Sequence, residues 1–198
     1  MKNFRQTWTA VRALLILTVV LGLAYPLAIT GIGQLAFNDN ANGQLVRVDG
    51  EVVGSAIIGQ SFTDADGAAL LEWFQSRPSA AGAGYDGGAS SGSNWGPENE
   101  DLITAIGERQ AAIAELDGVP VSEIPADAVT ASASGLDPHI SPEYARLQVD
   151  RVAQARGIPS EDVAKLVESM IQGRDLGFLG EPTVNVLKLN IALAEMDG

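Results

Sequence analysis

His139 is the only histidine in 198 residues, and it lies in SASGLDPHISP (residues 132–142) beside Asp137 and three serines, Ser132, Ser134 and Ser141. These are the residue types of a hydrolase that activates a serine hydroxyl through a carboxylate-oriented imidazole. The spacing argues against that chemistry. Ser141-Pro142-Glu143 is a helix start: a capping hydroxyl, proline in the first turn, then an acid. His139 therefore sits just before a helix N-terminus, whose dipole disfavours the imidazolium that a general base must become. Pro138 and Pro142 bracket the segment as a rigid turn, and the chain has no G-x-S-x-G elbow. A metal would find no second histidine and no cysteine to share it. The stretch reads as a structural or interface loop.

Other chemistry is sparse. There is no Walker A or EF-hand pattern, and Gly82-Ala83-Gly84 is too short to be a phosphate cradle. Asp64 and Asp66 read as helix-entry residues rather than a metal pair, and Asn94-Trp95 can present an aromatic to a partner. With 12 basic and 25 acidic residues the formal charge is −13, which argues against nucleic acid as a partner. The absence of cysteine excludes disulfides, thiolate zinc sites and cysteine nucleophiles.

The element that must carry the rest is at the N-terminus. Residues 13–37 hold no charge, and 13 of these 25 are Leu, Ile, Val or Phe. A helix of that length covers roughly 37 Å, enough for a ~30 Å hydrocarbon core. The apolar side chains favour insertion by roughly 4 to 8 kcal/mol before polar, Gly and Pro costs. Lys2, Arg5 and Arg12 precede the span, while Asp39 is the only charge in residues 38–44. Positive flanks stay inside, so residues 1–12 form a cytoplasmic tail, 13–37 a transmembrane helix and 38–198 an extracytoplasmic domain. A cleaved signal peptide ending at Gly22-Leu23-Ala24 is the alternative, but the apolar run continues well past Ala24. Thr18, Gly22, Pro26 and Thr30 recur every four residues, and Pro26 removes a backbone donor from the carbonyl of Gly22. Such a row suits packing against other membrane helices, with Gly22 and Pro26 as contact candidates.

The exterior domain carries all 25 acids and nine bases, a formal charge of −16. Residues 44–62 read as a hairpin around Asp49-Gly50. Residues 66–77 read as a short helix ended by Pro78, and 79–95 as a long, glycine-rich loop. Pro97 opens a helix with the stripe Leu102, Ile106, Ile113 and Leu116, stopped at Gly118. The helix begun at Ser141 runs to Arg156 with Gly157 as its cap, and Ser160 caps another that ends at Gly173. Residues 184–191 alternate as a last strand. The fold class is α/β (or α+β) on a single N-terminal transmembrane helix.

Six segments, in order, carry a resemblance: GSAIIGQSF (54–62), WFQSRPSA (73–80), SGSNWGP (91–97), VTASASGLDPHISP (129–142), QVDRVAQARG (148–157) and GEPTVNVLKLNIAL (180–193). Together with the N-terminal span they resemble the C subunit (KdpC) family of the Kdp potassium-transporting P-type ATPase. Trp73 stands where that family often has tyrosine, and Trp95 where it often has leucine. The resemblance implies an inner-membrane complex. In it a channel-like subunit binds potassium, a P-type subunit hydrolyses ATP, a small membrane subunit joins them, and the chain itself is a non-catalytic accessory needed for assembly. It implies a catalytic chaperone that raises the ATP affinity of the hydrolysing subunit, with no firmly bound cofactor of its own. Gln148 is the position linked to nucleotide. Partner contacts are expected at Arg77, Asn94, Trp95, Asp137 and His139. Gln148 also borders the apolar stripe of Ala145, Val149 and Val152, a place for a buried hydrogen-bonding residue. The positive-inside reading puts it across the membrane from cytoplasmic ATP, so an indirect effect through the span stays open. A membrane-anchored hydrolase and a solitary binding domain are the alternatives from other classes. The acidity of the domain either concentrates cations near a pore mouth or keeps the domain soluble.

Overall fold

The computed structural model describes residues 2–196, so Met1 and Asp197–Gly198, the ends of the expected tail and domain, lie outside the described residues. The chain divides into two compact units, Met1–Leu45 and Val46–Gly198.

The first unit is helical. α1 (Lys2–Val19) passes through a π-helical turn (Val20–Ala24) into α2 (Tyr25–Ala36), and a single turn, α3 (Asn38–Ala41), follows. Phe4–Ala36 form one 33-residue helix long and apolar enough to cross a bilayer. Within this unit its leucines and isoleucines have no protein cover, a surface that water does not tolerate at this size. Pro26 lies in the first turn of α2, and the Tyr25 N–H reaches back to the Val20 carbonyl. That bond skips Leu21, whose next donor along the chain would be the N–H that Pro26 lacks. At the other end, Gln34 accepts from the amides of Asn38 (3.2 Å) and Asn42 (3.1 Å), so the span finishes in a knot of side-chain amides.

In the second unit, β1 (Leu45–Val48) and β2 (Glu51–Ser55) form the expected hairpin. Asp49 (φ 52°) and Gly50 (φ 85°) both adopt the left-handed geometry that a two-residue hairpin turn demands. The strand stops at Ser55, short of Ile57-Ile58.

Residues 66–77 are not a helix. They form turns at 65–67 and 71–73 and irregular chain beyond, and side chains from other elements satisfy the backbone groups of residues 71–75. The Asn190 side chain accepts from Phe74 N (2.9 Å) and donates to Phe74 O (3.0 Å). Gln148 does the same for Gln75, at 2.6 and 3.2 Å. Arg151 donates to the carbonyls of Leu71 (2.6 Å) and Trp73 (3.0 Å), and Arg156 to that of Glu72 (2.7 Å). Arg156 also stacks its guanidinium 4.3 Å from the Trp73 ring centre. Asp64 starts no helix either: its Oδ1 accepts from Asp66 N and Ala68 N and closes a tight turn.

α4 (Glu100–Asp117) starts three residues after Pro97, because Asn99 takes the cap by accepting from Asp101 N and Leu102 N. A 3₁₀ turn (Val121–Glu123) and α5 (Ala126–Val129) lead to β3 (His139–Ile140). The helix expected from Ser141 to Arg156 is two, α6 (Pro142–Leu147) and α7 (Val149–Arg156), interrupted at Gln148. Ser141 caps it as expected, and Gly157 ends it in the left-handed region. α8 (Ser160–Met170) begins at Ser160 without a side-chain cap, after Pro159, and stops before Gly173 because β4 (Ile171–Gln172) starts there. The expected last strand is only β5 (Thr183–Asn185), followed by α9 (Val186–Glu195). Asn185 caps α9 by accepting from Lys188 N, and Val186, Leu189, Asn190 and Leu193 face inward at helical spacing.

β5 lies between β3 and β4, antiparallel to both, with Val184 opposite Ile140 and Ile171. The core gathers on this small sheet: Val184, Val163 and Val167 of α8, Val152 of α7, Leu189 and Leu193 of α9, and Phe74 from the irregular segment at 71–75. Helices mixed with short antiparallel strands make this an α+β domain.

Candidate functional site

The loop around His139 is held by the same segments that carry the resemblance. Arg77 extends two donors to the Thr130 carbonyl (3.3 and 3.2 Å) and one to Asp137 Oδ2 (3.1 Å). Asp137 Oδ1 accepts from His139 N (3.0 Å) and lies 3.3 Å from His139 Nδ1. Burial pushes the Asp137 carboxyl up, but the His139 side chain and backbone and the Arg77 guanidinium outweigh it and hold the group below the usual carboxylate range. The Tyr85 hydroxyl donates to Arg77 O (2.8 Å), and burial pushes its pKa up to about 12. Ser79 Oγ donates to Gly135 O (2.6 Å), while Gly135, at φ 67°, has room for no side chain. A Cβ there would meet Ser91 O at 2.5 Å and Ala81 N at 2.7 Å.

None of the loop's serines serves His139. Ser132 Oγ accepts from Gly135 N and Ser134 Oγ from Leu136 N. Ser141 donates to Asp127 Oδ1 (2.8 Å) and accepts from Tyr144 N. The hydroxyls are turn and cap groups, and among the described residues Asp137 is the side chain that meets the His139 ring.

Arg77, Asp137 and His139 line a cleft of about 530 Å³ with Asp127, Glu143 and Glu181. Arg77 and Asp137 keep 20% and 31% of their side-chain surface, and His139 34%, so the cluster is reachable. Asn94 and Trp95 fall elsewhere, on the glycine-rich loop. Asn94 has φ 54°, and Trp95 is 39% exposed.

Gln148 is fully buried. Its amide hydrogens go to Gln75 O and Tyr144 O, and its oxygen accepts from Gln75 N and Arg151 Nη2 (2.7 Å). All four of its hydrogen-bonding positions are used. Arg151 continues inward to Asp117 Oδ1 (2.6 Å), a pair with 5% and 1% side-chain exposure. Asp117 Oδ2 is buried with no hydrogen-bond partner among the described residues, and burial raises the group's pKa against the pull of Arg151. The Gln148 side chain therefore has no hydrogen-bonding position left for a nucleotide. Sequence reasoning passed over Gly82-Ala83-Gly84-Tyr85-Asp86-Gly87, which has the G-x-G-x-x-G spacing. It follows no strand and opens no helix, and a Cβ at Gly82 would collide with the Asp86 side chain, not with an empty anion site.

Sequence reasoning also missed the side-chain clamp on residues 71–75. Its one signal was the row of hydrogen-bonding side chains, Gln148, Arg151 and Asn190, at inward positions of helices.

Residues 7–195 match the family model described as KdpC: K+-transporting ATPase, c chain. Among curated proteins, the potassium-transporting ATPase KdpC subunit of Kineococcus radiotolerans is 55% identical, covering 96% of this chain and 93% of its own. That of Mycobacterium tuberculosis is 53% identical, covering 96% and 97%. That of Caulobacter vibrioides is 59% identical, covering 89% and 86%.

Proposed function

Because this chain belongs to the KdpC family, the c chains of K+-transporting ATPases, we propose that it is a non-catalytic accessory subunit of a potassium-uptake ATPase. Its partners are a channel-like potassium-binding subunit, a P-type ATP-hydrolysing subunit and a small membrane subunit. The single observation that carries the accessory reading is the use of the polar side chains in the His139 loop. Asp137, Ser132, Ser134 and Ser141 are spent on holding segments together, and this supports a rigid contact surface over a reaction centre.

The span serves as anchor and as a docking helix. Gly22 and the carbonyl opposite Pro26 form its contact face, supported by the π turn there. The N-terminal tail lies in the cytoplasm and the α+β domain outside, on the strength of Lys2, Arg5 and Arg12. The chain raises the ATP affinity of the hydrolysing subunit indirectly, through assembly. The saturated hydrogen bonding of Gln148 supports that route over direct contact. Potassium is handled by the partner, and the acidic domain concentrates cations at its mouth.

Purification of the tagged full chain in mild detergent tests the reading. It brings a P-type ATPase and a channel-like protein with it; recovery of the chain alone overturns it. Protease added to sealed right-side-out vesicles degrades the domain, and protection of the domain overturns the orientation. Neutralising acidic clusters weakens potassium affinity at low ionic strength, and an unchanged affinity removes the cation-concentrating role.

A further inference from the structure

Between β4 and β5 the chain leaves the domain as a closed finger. Gln172 and Thr183 are the last antiparallel partners, and every residue from Gln172 to Glu181 is exposed. The finger is nonetheless ordered by its own bonds. Asp175 and Leu179 exchange both backbone hydrogen bonds at 2.9 Å, Gly177 N donates to Arg174 O, and Arg174 pairs with Glu181 at the base. On this frame stand Leu176 (82% exposed), Phe178 (69%) and Leu179 (50%). Single exposed leucines need no explanation, but three large apolar side chains on one fixed tip do.

We propose that this finger is a docking element that seats in an apolar pocket on the outer surface of another subunit of the same ATPase. The choice of a protein over the bilayer follows from charge. An interfacial anchor sets its apolar tip in a collar of Lys and Arg. Here the only base, Arg174, is already paired with Glu181, Asp175 adds a second acid, and the domain behind carries a formal −16. An acidic collar fits a pocket with a basic rim. Glu181 also lines the His139 cleft, so finger and cleft are continuous, and the rim of the pocket meets Asp137 and Glu143 there. An aromatic or aliphatic anchor seated in a pocket and ringed by polar groups is how such contacts concentrate their binding energy.

The inference rests on the accessory-subunit reading, and one experiment separates the two. A photo-reactive phenylalanine analogue is placed at position 178 of the full chain in intact membranes. The expected result is an adduct with another ATPase subunit. An adduct with lipid only, with a second copy of this chain, or with nothing overturns the docking role, provided the unmodified chain still co-purifies with the ATPase. If the unmodified chain brings no ATPase, the accessory reading itself has failed, and the finger proposal falls with it. In parallel, L176S/F178S/L179S reduces retention of the chain in the purified complex by roughly tenfold. Its circular dichroism and melting temperature stay unchanged, since none of the three side chains belongs to the core cluster. Undiminished retention overturns the proposal.

Discussion

Two arginine–aspartate pairs hold the α+β domain, and they do so in opposite circumstances. Arg151–Asp117 is inside, with 5% and 1% of its side-chain surface left, and one carboxylate oxygen has no partner among the described residues. Arg77–Asp137 is at a cleft, with 20% and 31% left, and its carboxylate is served by Arg77 and by the backbone N–H and Nδ1 of His139. The interior pair suffers desolvation and is kept because Arg151 also clamps Leu71, Trp73 and Gln148. The cleft pair is the better satisfied and the more accessible. A buried ion pair thus marks where the domain is built, and an open, saturated one marks where it can be met.

The comparison is broken most forcefully from the inside. Arg151→Met leaves Asp117 unpaired and the Leu71 carbonyl unserved, takes one of two donors from Trp73 O and Gln148 Oε1, and lowers unfolding free energy by roughly 3–5 kcal/mol, read by denaturant titration of the full chain in detergent. Adding Asp117→Leu recovers much of that loss; no recovery means the pair is not the source of the penalty. Gln148→Leu, which is close in volume, orphans the Gln75 amide and carbonyl and costs about 1–3 kcal/mol by the same titration. Any change in the ATP requirement of the complex then follows the loss of assembled complex, and a normal assembly with altered ATP affinity would falsify the indirect route. Arg77→Ala removes a partly exposed pair and costs only about 0.5–1.5 kcal/mol, but it loosens the complex as well.

Acid sharpens the contrast because the two carboxyls move oppositely. Asp137 is held below its ordinary value of 3.8, so its stabilisation is fully present above that pH and fades as pH falls through its folded-state value. Asp117 is raised above 3.8, so its contribution is largest below that pH and is lost as pH rises through its folded-state value. The stability gap between wild type and Asp137→Asn therefore narrows on acidification below 3.8, whereas wild type gains on Asp117→Asn as pH drops towards it. The smallest effect is expected at His139→Ala, within about 0.5 kcal/mol in stability and with ATPase activity retained, since Arg77 still serves Asp137.

What could be read from the sequence was whatever is decided locally. The Asp49-Gly50 turn, the Ser141 cap and the Gly157 stop each depend on a few adjacent residues, and each stands where expected. Residues 66–77 depart from the expected helix because the hydrogen-bond partners of Gln75 and Phe74 lie 73 and 116 positions away, at Gln148 and Asn190. Residues 184–191 depart from the expected strand because their apolar positions also satisfy a helix, and the Asn185 cap decides between the two. In the site, Arg77, Asp137 and His139 do converge on one cleft, while Asn94 and Trp95 do not line it. The finger was invisible because RDLGFLGE differs from a buried segment only in its surroundings.

The π turn has a consequence for the membrane span. In an uninterrupted α-helix each residue advances about 100°, so Thr30 would point about 120° away from Thr18. A π turn accommodates one residue without advancing the helix, so the twelve-residue step rotates as eleven. The angular offset shrinks to about 20°. A spacing of four, which ordinarily spirals around a cylinder, is here straightened into a groove parallel to the axis, along which a neighbouring rod can lie flush.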